Sequence, residues 1–525
     1  MVTTAPTPRH RFLLALAATL LTGACGGGET TAPSAPNGAP WIVVGVDGGE
    51  RRVLERLWDR GELPNLAALA ERGVFTDLAT DYGASPVIWT TIATGVPPSR
   101  HGIADFVVAT ESGDVPVSSA ARRSPALWEM LTRAHRRVAV LGWWATWPAE
   151  RVDGLIVTDR LASELPERIH PAGREDELRA EVERARTDGL PFGGNAASEI
   201  QDRVVTRFAI EAVAGRYDLV LPYYRSVDLA SHQSWRLFQP AAFGDPPPAE
   251  PGADPVSTAY RAFDAALGQI VAAAPTDANV VVLSDHGFRA TRGEQVQLLI
   301  DLDRVLEAVG LLVRDGPATD PARSSAFTYR SPDYRSTRFV RFAPEGTEPP
   351  PSALAAGRER LGRELARVRF AEGPPAFRVR EPRPREARQG AHAVVVVDSA
   401  AATPGLELDG DTIAGAVRHL GRISGSHDRH TKGIFLAAGP AIERGAELAG
   451  ISIHDIAPTL LYALGLPVAE DFPGRARTEL FTPGFRDAHP GRTIASWGER
   501  TAVEAPRTAA DRELLEELAG LGYLN

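Results

Sequence analysis

Between Asn279 and Gly287 the chain reads Asn-Val-Val-Val-Leu-Ser-Asp-His-Gly, an apolar run that ends directly in a carboxylate and an imidazole. Val280 to Leu283 show no polar alternation, and such a run belongs to a strand covered on both faces, as in a parallel sheet. Burying a carboxylate without a partner is costly, so Asp285 calls for one. A divalent cation shared with His286 would supply it, whereas a solvated Asp-His-Gly turn would need none.

The pattern recurs. Trp41-Ile-Val-Val-Gly-Val46 is a second continuous apolar run; it ends in Asp47-Gly48-Gly49 and is followed by a helical pattern from Glu50 to Arg60. Further strands are expected at Arg137 to Leu141, Leu155 to Thr158, Asp218 to Pro222 and Ile434 to Ala437, with helices at Ala126 to Ala134, Glu199 to Ala214 and Ile456 to Leu464. Strands alternating with helices imply an α/β fold whose sheet is mostly parallel, and ligands gather beyond the carboxyl ends of such strands. Gln239 to Pro255 is a Pro-rich surface loop. From about Asp315 to Arg422 the rhythm is lost, which marks an inserted cap-like lobe. The expected organisation is therefore 41–314 as the first part of a catalytic domain, 315–422 as the lobe and 423–525 as the second part. An amphipathic helix is expected at Ala510 to Ala519, docking on the body.

Of the 525 residues 43% are hydrophobic and 24% charged, so neither disorder nor repeated membrane spans are indicated. The formal charge of −10 argues against a nucleic-acid duplex as partner. Cys25 is the single cysteine, which excludes internal disulfides and Cys-based zinc clusters. It follows Arg9-His10-Arg11, an apolar stretch from Phe12 to Leu21 too short to span a membrane comfortably, and Thr22-Gly23-Ala24. This resembles a bacterial lipoprotein signal, with 1–24 removed, Cys25 lipidated and 25–40 a Gly, Ser, Thr and Pro tether. The expected location is extracytoplasmic, anchored to a membrane.

A third strand, Asp218 to Pro222, leads into Tyr223-Tyr-Arg-Ser-Val-Asp228-Leu-Ala-Ser-His232, where Asp228 and His232 at i and i+4 face one way on a helical turn. Ser424-Gly-Ser-His427-Asp-Arg-His430 offers one more imidazole from either histidine. Three strands thus lead into Asp47, Asp228 and Asp285, with His232, His286 and His427 as companions. Two cations with three ligands each fit that count, and mixed imidazole and carboxylate shells suit zinc or manganese better than calcium. Ser85, before Pro86 at an expected helix start, is the candidate nucleophile; Thr90, Thr91 and Thr94 fall inside that helix. Trp143, Trp144 and Trp147 read as core packing more readily than as a substrate wall.

Asp47-Gly, Ser85-Pro with Thr94-Gly, His101-Gly, Asp228-xxx-His232, Asp285-His286-Gly, Gly-Ser-His427 and Asp455-Ile-Ala-Pro-Thr459 occur in an order that resembles the alkaline phosphatase superfamily. The set is most similar to the type I phosphodiesterase and nucleotide pyrophosphatase branch, over roughly Trp41 to Arg475. The resemblance implies a three-layer sandwich and a phosphoric ester hydrolase acting on a small phosphoester through a phosphoserine. It also implies one metal held at Asp228, His232 and His427, and a second at Asp47, Asp285 and His286 with the Ser85 hydroxyl. The chain departs from nucleotide-type members at two positions, Ser85 for the common Thr and Ile88 for an Asn that holds a phosphoryl oxygen. Sulfatases need a Cys or Ser, x, Pro, x, Arg pattern, which Ser85-Pro-Val-Ile-Trp does not supply. A phospho-headgroup transferase on lipid or glycan and a non-catalytic binding lipoprotein are the alternative readings.

Overall fold

The computed structural model describes residues 38–500, apart from 111–112, 188–195, 248–251, 317, 330–336, 345, 372, 389 and 398–404, and beyond them 508, 511, 514, 515 and 518. The leader at 1–24, Cys25 and the tether as far as 37 lie outside the described residues. In chain order the strands that matter for the site are β1 (Trp41–Val46), β2 (Val74–Leu78), β3 (Val138–Leu141), β4 (Gly154–Val157), β5 (Ile169–His170), β6 (Leu219–Tyr224), β7 (Asn279–Leu283), β8 (Arg289–Ile300), β9 (Val417–Ser426) and β10 (Gly433–Ala438). Eight of them form one sheet in the order β2-β10-β7-β1-β6-β3-β4-β5. The run β7, β1, β6, β3, β4 is parallel throughout, with β10 antiparallel to both its neighbours and β5 antiparallel to β4.

Alternation along β1 sends Trp41 and Val43 into one apolar cluster and Ile42 and Val44 into another, which is why the strand sequence is apolar at every position. Helices α1 (Arg51–Trp58), α4 (Ala196–Ala214) and α6 (Pro255–Ala273) cover the second cluster. The first is covered by α2 (Ser85–Thr94), α3 (Leu127–Arg133) and α7 (Ile453–Ala463). The result is the expected three-layer α/β/α sandwich with a mostly parallel central sheet.

β8 and β9 pair antiparallel as a two-stranded ribbon that leaves the body after Phe288 and returns at Ser426. Beyond it a separate apolar cluster runs from Ile300 to Ala416, under an antiparallel sheet of Phe327–Tyr329, Thr337–Arg341, Ala393–Val397 and Phe377–Arg380. That cluster starts ahead of 315, because the helix Leu302–Ala308 buries Leu302, Val305 and Leu306 in it, and 417–422 belong to the ribbon. Towards the end of the chain Leu515 and Leu518 are buried in the cluster under α2 and α7. Asp455 ties α7 to the following segment, accepting from Arg475 N at 2.9 Å and from Arg477 Nη1 at 3.2 Å. Among the described residues no helix is long and apolar enough to cross a membrane.

Candidate active site

The three central parallel strands β7, β1 and β6 end side by side, so the residues that follow them converge at one edge of the sheet. Gly48, just after β1, has φ +70°, and a Cβ there would lie 2.6 Å from the Phe288 ring and 3.0 Å from Asp228 Cα. Only glycine lets the β1 loop pass this close to the start of α5 (Ser226–Phe238). The loops are stitched together: Gly48 N donates to Asp285 Oδ1 at 3.2 Å, Gly49 N to Ser284 Oγ at 2.7 Å, and that hydroxyl donates to His286 O at 2.7 Å. Asp202 of α4 accepts from Arg225 N and Ser226 N at 2.9 and 3.1 Å, which fixes the start of α5 and hence Asp228 in its first turn.

The ribbon closes the site from the other side. His232 Nδ1 donates to Gly425 O at 3.0 Å and Arg236 N to Ser424 Oγ at 3.0 Å, seating β9 on α5. His427, the residue after β9, stacks on the His286 ring with centroids 3.5 Å apart and lies 5.2 Å from the His232 ring. His430 is exposed and takes no part, its amide bound to Asp428 Oδ1.

Two groups of ligand atoms each fall within 4.8 Å: Asp228, His232 and His427, and Asp47, Asp228 and His286. All six residues expected as ligands are therefore neighbours, with one difference from the expected partition. Asp228 belongs to both groups, whereas Asp285 stands beside the second, its Oδ2 3.2 Å from His286 Nε2.

Burial, reinforced by the charge of Asp47, pushes the Asp228 and Asp285 carboxyls well above the usual range. At Asp47 burial acts in the same sense but is outweighed by the bond to His286, that imidazole's charge and the Tyr223 hydroxyl, so its carboxyl stays low. Burial and the neighbouring His286 and His232 rings push His427 well below the usual histidine range. Both oxygens of Asp228, Oδ2 of Asp285 and Nδ1 of His427 are buried and make no hydrogen bond among the described residues. His286 Nδ1 donates to Gly287 O at 3.1 Å, so in the neutral ring the Nε2 lone pair is the one turned to the carboxylates, as a metal ligand requires. Orphaned carboxylate oxygens and imidazoles packed this closely fit a bound divalent cation.

Ser85 is the first residue of α2; the N-cap position belongs to Ala84. Its hydroxyl does not cap the helix but lies 3.3 Å from Asp47 Oδ1 and 3.3 Å from His286 Nε2, fully buried. Thr91 and Thr94 bond back to Val87 O and Thr90 O, as hydroxyls inside a helix do. Ile88 packs in the apolar cluster beneath the sheet.

Three contributors were not singled out as site residues from the sequence. Tyr223 donates to Asp47 Oδ2 and accepts from Trp144 Nε1 at 2.5 Å, while Phe288 packs against His232, His286 and His427. Tyr223 and Phe288 sit next to motif residues, which is the only signal a sequence offers for them. Trp144 is buried as core packing requires, yet its indole N–H faces the site.

Phosphonoacetate hydrolase from Sinorhizobium meliloti 1021, solved with phosphonoformate, aligns with 17% identity and a TM-score of 0.42, covering 80% of this chain and 94% of its own. Human ectonucleotide pyrophosphatase / phosphodiesterase 5 aligns with 15% identity and a TM-score of 0.44, covering 84% and 100%. An inactive murine form of that protein in complex with AMP gives 16%, 0.43, 85% and 100%. No curated protein matches the sequence. The family model for type I phosphodiesterase / nucleotide pyrophosphatase matches residues 41–382, more than half of the chain. The matched span holds Asp47, Ser85, Asp228, His232, Asp285 and His286, and by that match the chain belongs to the type I phosphodiesterase / nucleotide pyrophosphatase family, enzymes that hydrolyse phosphoric esters.

Proposed function

We propose that this hydrolase cleaves a small phosphoric monoester or diester by way of a phosphoserine on Ser85. The observation that carries the proposal is the Ser85 hydroxyl, buried at a helix start and 3.3 Å from both Asp47 Oδ1 and His286 Nε2. Asp47, Asp285 and His286 would hold one divalent cation and Asp228, His232 and His427 another, with Asp228 near enough to serve both. Two zinc or manganese ions bound there would lower the pKa of the serine hydroxyl and stabilise the oxygens that attack and leave in an in-line displacement.

Within that frame the chain's own groups do the positioning. α2 aims the Ser85 oxygen at the phosphorus, with Asp47 Oδ1 accepting the hydroxyl proton in the resting state. The Ser85 oxygen forms the new bond to phosphorus as the ester bond breaks and the leaving oxygen departs as an alcohol with the proton the hydroxyl gives up; water then cleaves the seryl phosphate, restores the hydroxyl and releases phosphate or a phosphate monoester. Phe288 and Trp144 keep the surroundings apolar, which strengthens each electrostatic contact. Ile88, buried where nucleotide-type relatives have an amide, leaves that phosphoryl contact unmade and favours simple phosphoesters over nucleotides. Membrane anchorage through Cys25 belongs to the same proposal and rests on the sequence of the leader alone.

Ser85→Ala tests the nucleophile. The variant should fold, bind metal, lose turnover of bis-aryl and mono-aryl phosphates by orders of magnitude, and yield no acid-stable phosphoserine on quenching. Near-normal turnover would exclude Ser85. Transfer of the phosphoryl group to an added lipid or glycan alcohol faster than to water would replace the hydrolase by a transferase.

A further inference from the structure

We infer that Tyr223, backed by Trp144, is a positioning residue that fixes which oxygen of Asp47 faces Ser85 and thereby sets how tightly the Asp47 side of the site holds its cation. The inference rests on the reading of Asp47 as a ligand.

Tyr223 lies near the end of β6 and is fully buried among aromatic rings, with Trp89 at 5.0 Å and Trp143 at 6.1 Å between centroids. A hydroxyl in such a setting is costly unless both its functions are met. They are met by two groups only compatible with one direction of donation. An indole N–H can donate and cannot accept, so Trp144 Nε1, 2.5 Å away, takes the phenol's lone pair. The phenol proton is then left for Asp47 Oδ2, and an ionised carboxylate can only accept it.

Trp144 is itself braced. The Asp159 carboxylate accepts from Ala145 N at 3.0 Å, Thr146 N at 3.3 Å and Trp147 N at 3.0 Å. These bonds hold a loop in which Ala145, not a glycine, sits at φ +56°. The Arg225 guanidinium lies 5.1 Å over the Trp144 ring on one side, and Phe106 packs edge-on at 5.7 Å. The indole therefore cannot swing away without breaking several contacts at once.

The outcome is a carboxylate with its two oxygens differentiated. Oδ2 is engaged by Tyr223; Oδ1 is 3.3 Å from Ser85 Oγ and 3.2 Å from His286 Nε2. Hydrogen bonds made behind a metal-binding carboxylate typically change metal affinity by about 10–100-fold.

The test is zinc titration of the purified chain against a chromophoric chelator, comparing wild type with Tyr223→Phe, Trp144→Phe and Asp47→Asn. Tyr223→Phe keeps the ring and removes the hydroxyl. It should weaken one zinc equivalent by about 10–100-fold and leave the other unchanged, with an unaltered circular dichroism spectrum. Trp144→Phe should weaken the same equivalent by less. A Tyr223→Phe protein that melts earlier but binds both equivalents as wild type does would show a merely structural hydroxyl and overturn the inference, provided Asp47→Asn loses zinc. Should Asp47→Asn also bind zinc normally, the ligand reading of Asp47 falls first and takes the inference with it. If Tyr223→Phe does not fold, unchanged zinc affinity in Trp144→Phe overturns the inference.

Discussion

Gly425→Ala perturbs the site without replacing any residue that carries chemistry. Gly425 lies on β9 against α5, and a Cβ there would be 2.2 Å from Ser231 O and 3.0 Å from Trp235 Cβ. Real Cβ atoms are essentially never found closer than 3.0 Å to such an atom, so a gap of at least 3.0 − 2.2 = 0.8 Å must open. Ser231 O belongs to helix backbone and cannot rotate aside, so the strand has to lift from the helix. On the two sides of that seam are His232, whose Nδ1 donates to Gly425 O, and His427, two residues further on. Overpacking of this kind costs about 1–3 kcal/mol. A displacement of about 1 Å in a site built on position lowers turnover by about 10²-fold. The assay is the initial rate on a bis-aryl phosphate with bound metal and the melting temperature measured on the same preparation. Gly484→Ala, where nothing lies within 4 Å, is the control. Folded Gly425→Ala protein whose turnover stays within about twofold of the control would refute the claim that the seam between β9 and α5 sets the site.

His101 is pushed down to about 3 by burial, with the charges of Arg122 and His454 adding to it, and its neutral ring accepts from Ile103 N and donates to Thr91 Oγ1. Because the folded value lies below the unfolded 6.5, this neutrality contributes stability that is present above pH 6.5 and lost as pH falls towards about 3. At 1.36 kcal/mol per unit the loss is on the order of 4–5 kcal/mol; His101→Asn should flatten that part of a denaturant-stability profile, and an unchanged slope would contradict it. Ile88→Asn would bury an unmatched amide in the apolar cluster and lower stability by about 3 kcal/mol or more. Wild-type enzyme that already turns over dinucleotides or nucleoside triphosphates far faster than aryl phosphodiesters would contradict the role given to Ile88. Cys25→Ser should release the protein from membranes or block its processing; fractionation and lipid labelling identical to wild type would end the anchor proposal.

The sheet was legible because a parallel strand covered on both faces must be apolar at every position, as Val280 to Leu283 and Trp41 to Val46 are. Asp47, Asp228 and Asp285 were legible for the converse reason, since a carboxylate at the end of such a strand needs a partner. What a sequence does not show is which strand ends become neighbours. The choice between His427 and His430 depends on the pairing of Arg289 with Ser426, well over a hundred residues apart, and no local pattern encodes that register. The same pairing hides the start of the lobe, whose cluster opens at Ile300 because Leu302, Val305 and Leu306 turn outward from the body. Tyr223 escaped notice because a tyrosine in an apolar strand satisfies the rule for burial, and its hydroxyl acquires meaning only from Trp144, 79 residues earlier. That Asp228 lies within reach of both ligand groups is likewise a matter of distances rather than spacing.

β10, the last strand of the sheet in sequence, sits between β2 and β7, two strands made well before it. During synthesis β7 therefore waits with an unpaired edge, and β2 has no partner in the sheet, until some 150 further residues have emerged and the lobe has been made. His427, six residues ahead of β10, arrives in the same interval. Every earlier intermediate holds Asp47, Asp228, Asp285 and His286 without the strand that locks β7 in place. Pairings this distant in sequence form slowly and leave strand edges open to other chains meanwhile. A chain cut short before Gly433 keeps Asp47, Asp228, His232, Asp285 and His286 but loses the strand that joins β2 to β7 and braces the sheet edge on which those residues sit.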